Sequence, residues 1–170
     1  MKIRLYGTVN DSIVDGPGLR YVIFTQGCLH HCPGCHNPDS HAIDGGYIED
    51  TEQCLLEIDQ NPLLDGVTLS GGEPFLQATA LIHFVQKVKK RHLHVMIYSG
   101  YTFEEILGDE EKKLLSLCDT LVDGKFILSL KSMELLYKGS SNQRIIDIQA
   151  SLKTHMVIEQ EINEYGEFVF

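Results

Sequence analysis

Residues 19–38 read LRYVIFTQGCLHHCPGCHNP. The first seven, 19–25, are mostly β-branched, aromatic or apolar and predict a strand. A loop follows at once and carries Cys28, Cys32 and Cys35 in C-x3-C-x2-C spacing. The chain has five cysteines, and the other two, Cys54 and Cys118, are isolated. An odd count with three clustered is poor material for a disulfide framework. Cys54 and Cys118 read as small buried hydrophobes. The cluster is where chemistry is expected.

Outward from this stretch the pattern alternates strand and helix. Residues 51–59 predict a short helix, Asp65-Gly66 a turn and 67–69 a buried strand. Pro74 suits a first helical position. After it Ala78, Leu81, Ile82, Val85 and Val88 form one apolar face at three- and four-residue steps. Lys87, Lys89, Lys90 and Arg91 close that helix, where cations complement its dipole. Residues 94–98 predict a strand, and 102–117 helix in two pieces broken near Gly108. Glu104, Glu105, Asp109, Glu110 and Glu111 read as its solvated face. Further strands are expected at 120–122, 143–148 and 156–159. Such alternation implies an α/β fold with a parallel sheet and crossover helices. Ligands in such folds bind at the C-terminal ends of the strands.

The 170 residues show no repeat, low-complexity tract or linker, which fits a single domain over 1–170. Hydrophobic residues make up 43% and charged residues 22%, enough for a core without disulfide staples. The net charge of −10 argues against a nucleic-acid partner and against an anionic membrane surface. No apolar run approaches the roughly 18 residues of a spanning helix. The start, MKIRLYGTVNDSIVDG, lacks an apolar signal core, so a cytoplasmic location is expected.

Three thiols in one loop can hold a metal centre. Structural zinc wants four ligands, and His30, His31 or His36 could supply the fourth. A [4Fe–4S] cubane normally takes four thiolates, so three leave one iron open to a ligand. The second motif is SGGEP, residues 70–74, directly after the strand at 67–69. Gly71 and Gly72 let the backbone pass close to a ligand, and Glu73 offers a carboxylate to an ammonium. Together the motifs suit an amino-acid-like ligand that chelates the open iron through its amine and carboxylate.

The C-x3-C-x2-C spacing at 28/32/35 with GGE at 71–73 resembles the radical S-adenosylmethionine superfamily. Within it, VDGPGLRYVIFTQGC (14–28) and CHNPDS (35–40) look like the glycyl-radical-enzyme activases. KGSSNQRIID (138–147) with CPGCHNP (32–38) looks like the activating proteins of anaerobic (class III) ribonucleoside-triphosphate reductases. The likeness spans roughly residues 5–150. It departs at Gly34, where many superfamily members carry an aromatic residue against the adenine.

The resemblance implies a radical S-adenosylmethionine oxidoreductase. Cys28, Cys32 and Cys35 would ligate three irons of a [4Fe–4S] cluster and act catalytically through it. S-adenosyl-L-methionine would bind the fourth iron, its amine held by Gly71, Gly72 and Glu73. The adenine contact would come from the backbone around Gly34, Cys35 and His36, or from elsewhere. An electron would come from a flavodoxin- or ferredoxin-like donor. The resulting 5′-deoxyadenosyl radical would take hydrogen from a glycine of the large catalytic subunit of the reductase.

Ser99-Gly100 would approach the ligand's ribose or carboxylate, and Asp123-Gly124-Lys125 matches an Asp-x-Lys near S-adenosylmethionine in related activases. Asp15, Gly16 and Gly18 would line the opening or form a plain turn. Arg144 is a candidate contact to ligand or partner. No proton-transfer role falls to a histidine. The implied fold is an open, partial (β/α) barrel of TIM-like type, short of the roughly 250 residues of a full barrel. Rival readings are an activase of another glycyl radical enzyme such as pyruvate formate-lyase, a radical enzyme acting on a small molecule, and a zinc-stabilised binding module without catalysis.

Overall fold

The computed structural model describes residues 1–169. In chain order the elements are β1 (Lys2–Ser12), β2 (Arg20–Thr25), β3 (Tyr47–Asp50), α1 (Thr51–Asp59), β4 (Gly66–Gly71), α2 (Ala78–Lys89) and β5 (His94–Tyr98). They continue with α3 (Asp109–Leu117), β6 (Thr120–Asp123), β7 (Arg144–Asp147), α4 (Ile148–Thr154), β8 (Glu161–Ile162) and β9 (Phe168–Val169). Seven strands form one sheet in the order β3-β1-β2-β4-β5-β6-β7, and β8 and β9 pair separately. The centre, β2-β4-β5-β6, is parallel. β1, β3 and β7 are antiparallel additions at its two sides. Among the described strands none closes the sheet into a barrel.

Alternation along the parallel strands creates two faces. Tyr21, Ile23, Val67, Leu69, Val95, Ile97 and Leu121 belong to the main core. Leu81, Phe84, Val85 and Val88 of α2 join them, with Leu114 and Leu115 of α3. The expected α2 face is therefore the buried one. A smaller cluster centres on Met96, Val122 and Ile145, covered by Tyr98, Tyr137, Ile162 and Phe168. In that cluster Ile162 and Phe168 come from the β8–β9 hairpin.

Local chemistry explains the helix starts. The Asp50 carboxylate caps α1 by accepting from Glu52 N–H, and Asp147 caps α4 by accepting from Ala150 N–H. Pro74 opens a single 3-10 turn, 74–77, that leads into α2. The break at Gly108 is present, with a 3-10 turn at 103–105 before α3. No described helix is long and apolar enough to cross a membrane.

Several expectations need correction. The sheet is not parallel throughout, because β7 pairs antiparallel with β6. Residues 124–143 leave and re-enter the sheet at the same end of its strands, so β7 must run back along β6. Residues 156–159 form no strand; Glu159 makes only an isolated bridge with Ile146. Asp65-Gly66 is not a turn, since Gly66 begins β4. A Cβ there would sit 2.5 Å from the Arg20 guanidinium, so glycine leaves room for a buried arginine. β1 and β3 lie outside the expected set.

Candidate active site at the strand ends

β2 delivers the chain to Gly27, whose φ of +106° turns it into the cysteine loop. Gly27 N–H donates to Ser40 C=O at 2.7 Å and Cys28 N–H to His41 C=O at 3.0 Å, which pinches the loop shut at its base. Inside it, Cys35 N–H donates to Cys32 C=O at 3.1 Å. Asn37 N–H donates to Cys35 Sγ at 3.5 Å. Cys28 is buried, Cys32 and Cys35 are half-buried, and all three are free thiols. Burial pushes the Cys28 thiol above its ordinary value, with the backbone near His30 working against it. A bound cationic centre would offset that cost of forming a thiolate.

The loop after β4 lies directly against this one. Gly72 N–H donates to Thr25 C=O and Glu73 N–H to Gly27 C=O, both at 2.8 Å. A Cβ on Gly71 would lie 2.3 Å from Thr25 N, and one on Gly72 would lie 2.2 Å from Gly27 O. The paired glycines are thus what lets two strand ends touch.

Glu73 is 1% exposed. Its carboxylate accepts from Ser99 Oγ at 2.9 and 3.0 Å, Gly100 N–H at 2.9 Å and Phe75 N–H at 3.2 Å. His30 Nε2–H adds a fourth donor at 2.7 Å. The chain's own donors therefore fill this carboxylate, which joins the ends of β2, β4 and β5. The His30 ring packs edge-on against Tyr101 at 4.5 Å. This latch between the cysteine loop and Glu73 has no local sequence signal, because it exists only across three loops.

These loops border a cleft of about 640 Å³, within the usual range for small-ligand sites. Cys28, Cys32, Cys35 and His36 line it on one side; Gly71, Gly72, Ser99 and Gly100 come from the β4 and β5 ends. Val14 and Asp15 reach it from the turn before β2. The segment 124–143 supplies a further wall with Phe126, Tyr137, Lys138 and Gln143. His36 packs edge-on against Phe126 at 5.1 Å. Among the described residues, no three His, Cys, Asp or Glu side chains close on a single metal-ion position.

Residues 14–146 match a domain family described as a 4Fe-4S single cluster domain. The chain is 36% identical over 141 residues to the anaerobic ribonucleoside-triphosphate reductase-activating protein of Vibrio cholerae, covering 78% of this chain and 90% of that one. It is 33% identical over 141 residues to the Escherichia coli K12 protein of the same name, with 77% and 90% covered. The phage T4 protein of that name is 33% identical over 138 residues, with 78% and 86% covered. The chain belongs to this family.

In this activating-protein family member the matched stretch takes in every cleft element and stops inside β7. Gly16, Gly18, Gly34, Glu73, Asp123, Lys125 and Arg144 are sequence candidates that do not line the cleft. Gly34, at φ +74°, turns its backbone beneath Leu128, whose Cδ1 would lie 2.8 Å from a Cβ. Asp123 is 1% exposed and accepts from Phe103 N–H at 2.8 Å and from Arg144 at 2.6 and 3.1 Å. Arg144 also pairs with Glu104 at 2.7 Å, so it is an ion-pair residue and not a free ligand contact. The two carboxylates hold its guanidinium above its ordinary value. Lys125 is exposed, and its carbonyl accepts from Asn142 Nδ2 at 2.8 Å. Gly16, at φ +134°, packs under Arg20 and Met96 and so is a turn residue.

Proposed function

We propose that this activating-protein family member is a radical S-adenosylmethionine enzyme that installs a glycyl radical on the catalytic subunit of an anaerobic ribonucleoside-triphosphate reductase. One observation carries the reading. The C-x3-C-x2-C thiols and the 71–72 backbone line one cleft at the ends of parallel strands, joined by main-chain hydrogen bonds.

The donor set fits an iron–sulfur cluster. Three free thiols share a wall of the cleft, and a peptide N–H already donates to the Cys35 sulfur. Cys28, Cys32 and Cys35 would ligate three irons and leave the fourth to the amine and carboxylate of S-adenosylmethionine. When bound, these groups would supply one-electron reductive cleavage of the sulfonium C–S bond and, through the 5′-deoxyadenosyl radical so released, hydrogen-atom abstraction from a glycine Cα.

The chain's own residues bind, orient and shield. Gly71 and Gly72 would present main-chain groups to the ligand amine, with Glu73 holding that loop in place. Ser99 holds Glu73 from the β5 end and borders the ligand space. His36 and Cys35 would border the adenine, with Gly34 shaping the turn beneath them. Asp123 would act from behind the wall by fixing Arg144. The seven-stranded open sheet is read as a shortened relative of (β/α) barrels, open on the side where a peptide loop must enter. The proposed electron donor is a flavodoxin- or ferredoxin-like protein, and the proposed setting is the cytoplasm.

The test is anaerobic reconstitution, iron and sulfide analysis, and electron paramagnetic resonance of the reduced protein. About four irons and four sulfides per chain are expected, with a signal that changes on adding S-adenosylmethionine. A glycyl radical on the reductase subunit completes the case. One tight zinc without sulfide would leave a binding module instead. A radical on another glycyl enzyme but not on the reductase would move the target.

A further inference from the structure

The KGSSNQR stretch explains itself as a scaffold. Gln143 Oε1 accepts from Gly139 N–H at 2.8 Å and Ser140 N–H at 3.2 Å, which closes 139–143 into a tight turn. Gln143 Nε2 donates to Gly124 C=O at 2.9 Å and Asn142 Nδ2 to Lys125 C=O at 2.8 Å. Ile127 N–H donates to the buried Ser140 Oγ at 3.2 Å. These bonds fasten the turn to the chain leaving β6. From the sheet, Tyr98 Oη donates to Tyr137 C=O at 2.7 Å and fixes the residue before Lys138.

Lys138 is therefore placed with unusual definition for a lysine. It is half-buried and lines the cleft. Its ammonium donates to Gln143 C=O at 3.1 Å, which uses one of three N–H groups. Among the described residues it has no carboxylate within ion-pair distance. The other cations of this region are placed differently. Arg144 is spent on Asp123 and Glu104, Lys125 stands outside the cleft, and Lys131 lines it but is exposed. A half-buried cation without a counter-ion favours an anion arriving with the ligand.

We propose that Lys138, held by the GSSNQR turn, binds the carboxylate of the amino-acid end of the cleft's ligand. This rests on the reading of that ligand as S-adenosylmethionine. It moves the cationic role from Lys125 to a residue 13 positions later in the chain.

The test is equilibrium binding to the anaerobic, iron–sulfur-loaded protein, with no turnover required. The probes are S-adenosylmethionine, S-adenosylhomocysteine and 5′-methylthioadenosine, and the last lacks the amino-acid end. Lys138→Met should weaken the first two by about 10- to 100-fold, the size of one charge-assisted hydrogen bond. It should leave 5′-methylthioadenosine within about twofold, and Lys138→Arg should restore most of the loss.

Equal weakening of all three probes would mean a distorted wall and overturn the proposal. So would unchanged binding of all three, or the same loss from Lys125→Met instead. If S-adenosylmethionine binding holds but affinity for the reductase subunit falls, the anion belongs to the partner and the assignment fails. If the loaded, unmutated protein binds none of the probes, the functional reading itself fails, whatever Lys138 does.

Discussion

The four parallel strands β2, β4, β5 and β6 carry polar groups at both ends, to opposite effect. At their N-terminal ends Arg20, Thr68, His94 and Thr120 form a row across the sheet. Arg20 Nε donates to Thr68 Oγ1 at 2.7 Å, and its other nitrogens donate to Pro17 C=O at 3.0 Å and Val67 C=O at 2.9 Å. It also donates to His94 Nδ1 at 3.1 Å, so His94 carries its proton on Nε2, 3.1 Å from Thr120 Oγ1. Arg20 is 1% exposed and has no carboxylate partner among the described residues. Burial lowers its guanidinium only to about 10, so it stays charged at neutral pH.

At the C-terminal ends the thiols, the 71–72 peptides and Lys138 are left facing a cleft. One end is a closed network that holds shape; the other leaves groups facing an open cleft. Glu73 belongs by position to the second end and by bonding to the first. That is why motif and mechanism are easily conflated there.

Substitution can break this contrast. The largest expected effect is Cys32→Ala, which should drop glycyl radical yield below detection while the thermal midpoint moves only a few degrees. Full activity would remove the cleft from the chemistry. Arg20→Met should do the reverse at the other end. It strands several buried acceptors and should cost about 3 kcal/mol or more in urea denaturation. An unchanged midpoint would mean that the row is ornamental.

A pH titration sharpens the same point. Burial, then the Arg20 charge, pulls His94 from its ordinary 6.5 down to about 4. The unfolded chain binds a proton there below about 6.5, and the folded chain does not until about 4. Stability should therefore fall as pH drops through that window, by about 3 kcal/mol at most from this group. His94→Gln should flatten that slope.

Glu73→Gln points an amide N–H₂ at groups that themselves donate, and should cost about 2 kcal/mol. Loss of ligand affinity without loss of stability would return Glu73 to a direct ligand role. The smallest effect is Cys118→Ala, about 1 kcal/mol of packing with iron content unchanged. Burial pushes that thiol well above its ordinary value, so it is a poor ligand.

The sequence by itself determined what depends on near neighbours. The helix at 51–59 and the strand at 94–98 match the structure end to end, because periodicity and capping act within a turn or two. The cysteine loop and the paired glycines were legible for the same reason, since their spacing is local and each follows a strand.

Tertiary structure alone decided the partners. The antiparallel placement of β1, β3 and β7 depends on which edges were vacant. Asp123 and Arg144, 21 residues apart, cancel each other across adjacent strands. The GSSNQR turn swings Lys138 toward the cleft while Lys125 stays outside. A charged side chain's role is set by whichever opposite charge or vacancy lies within a few ångströms. Only the folded chain makes that neighbourhood.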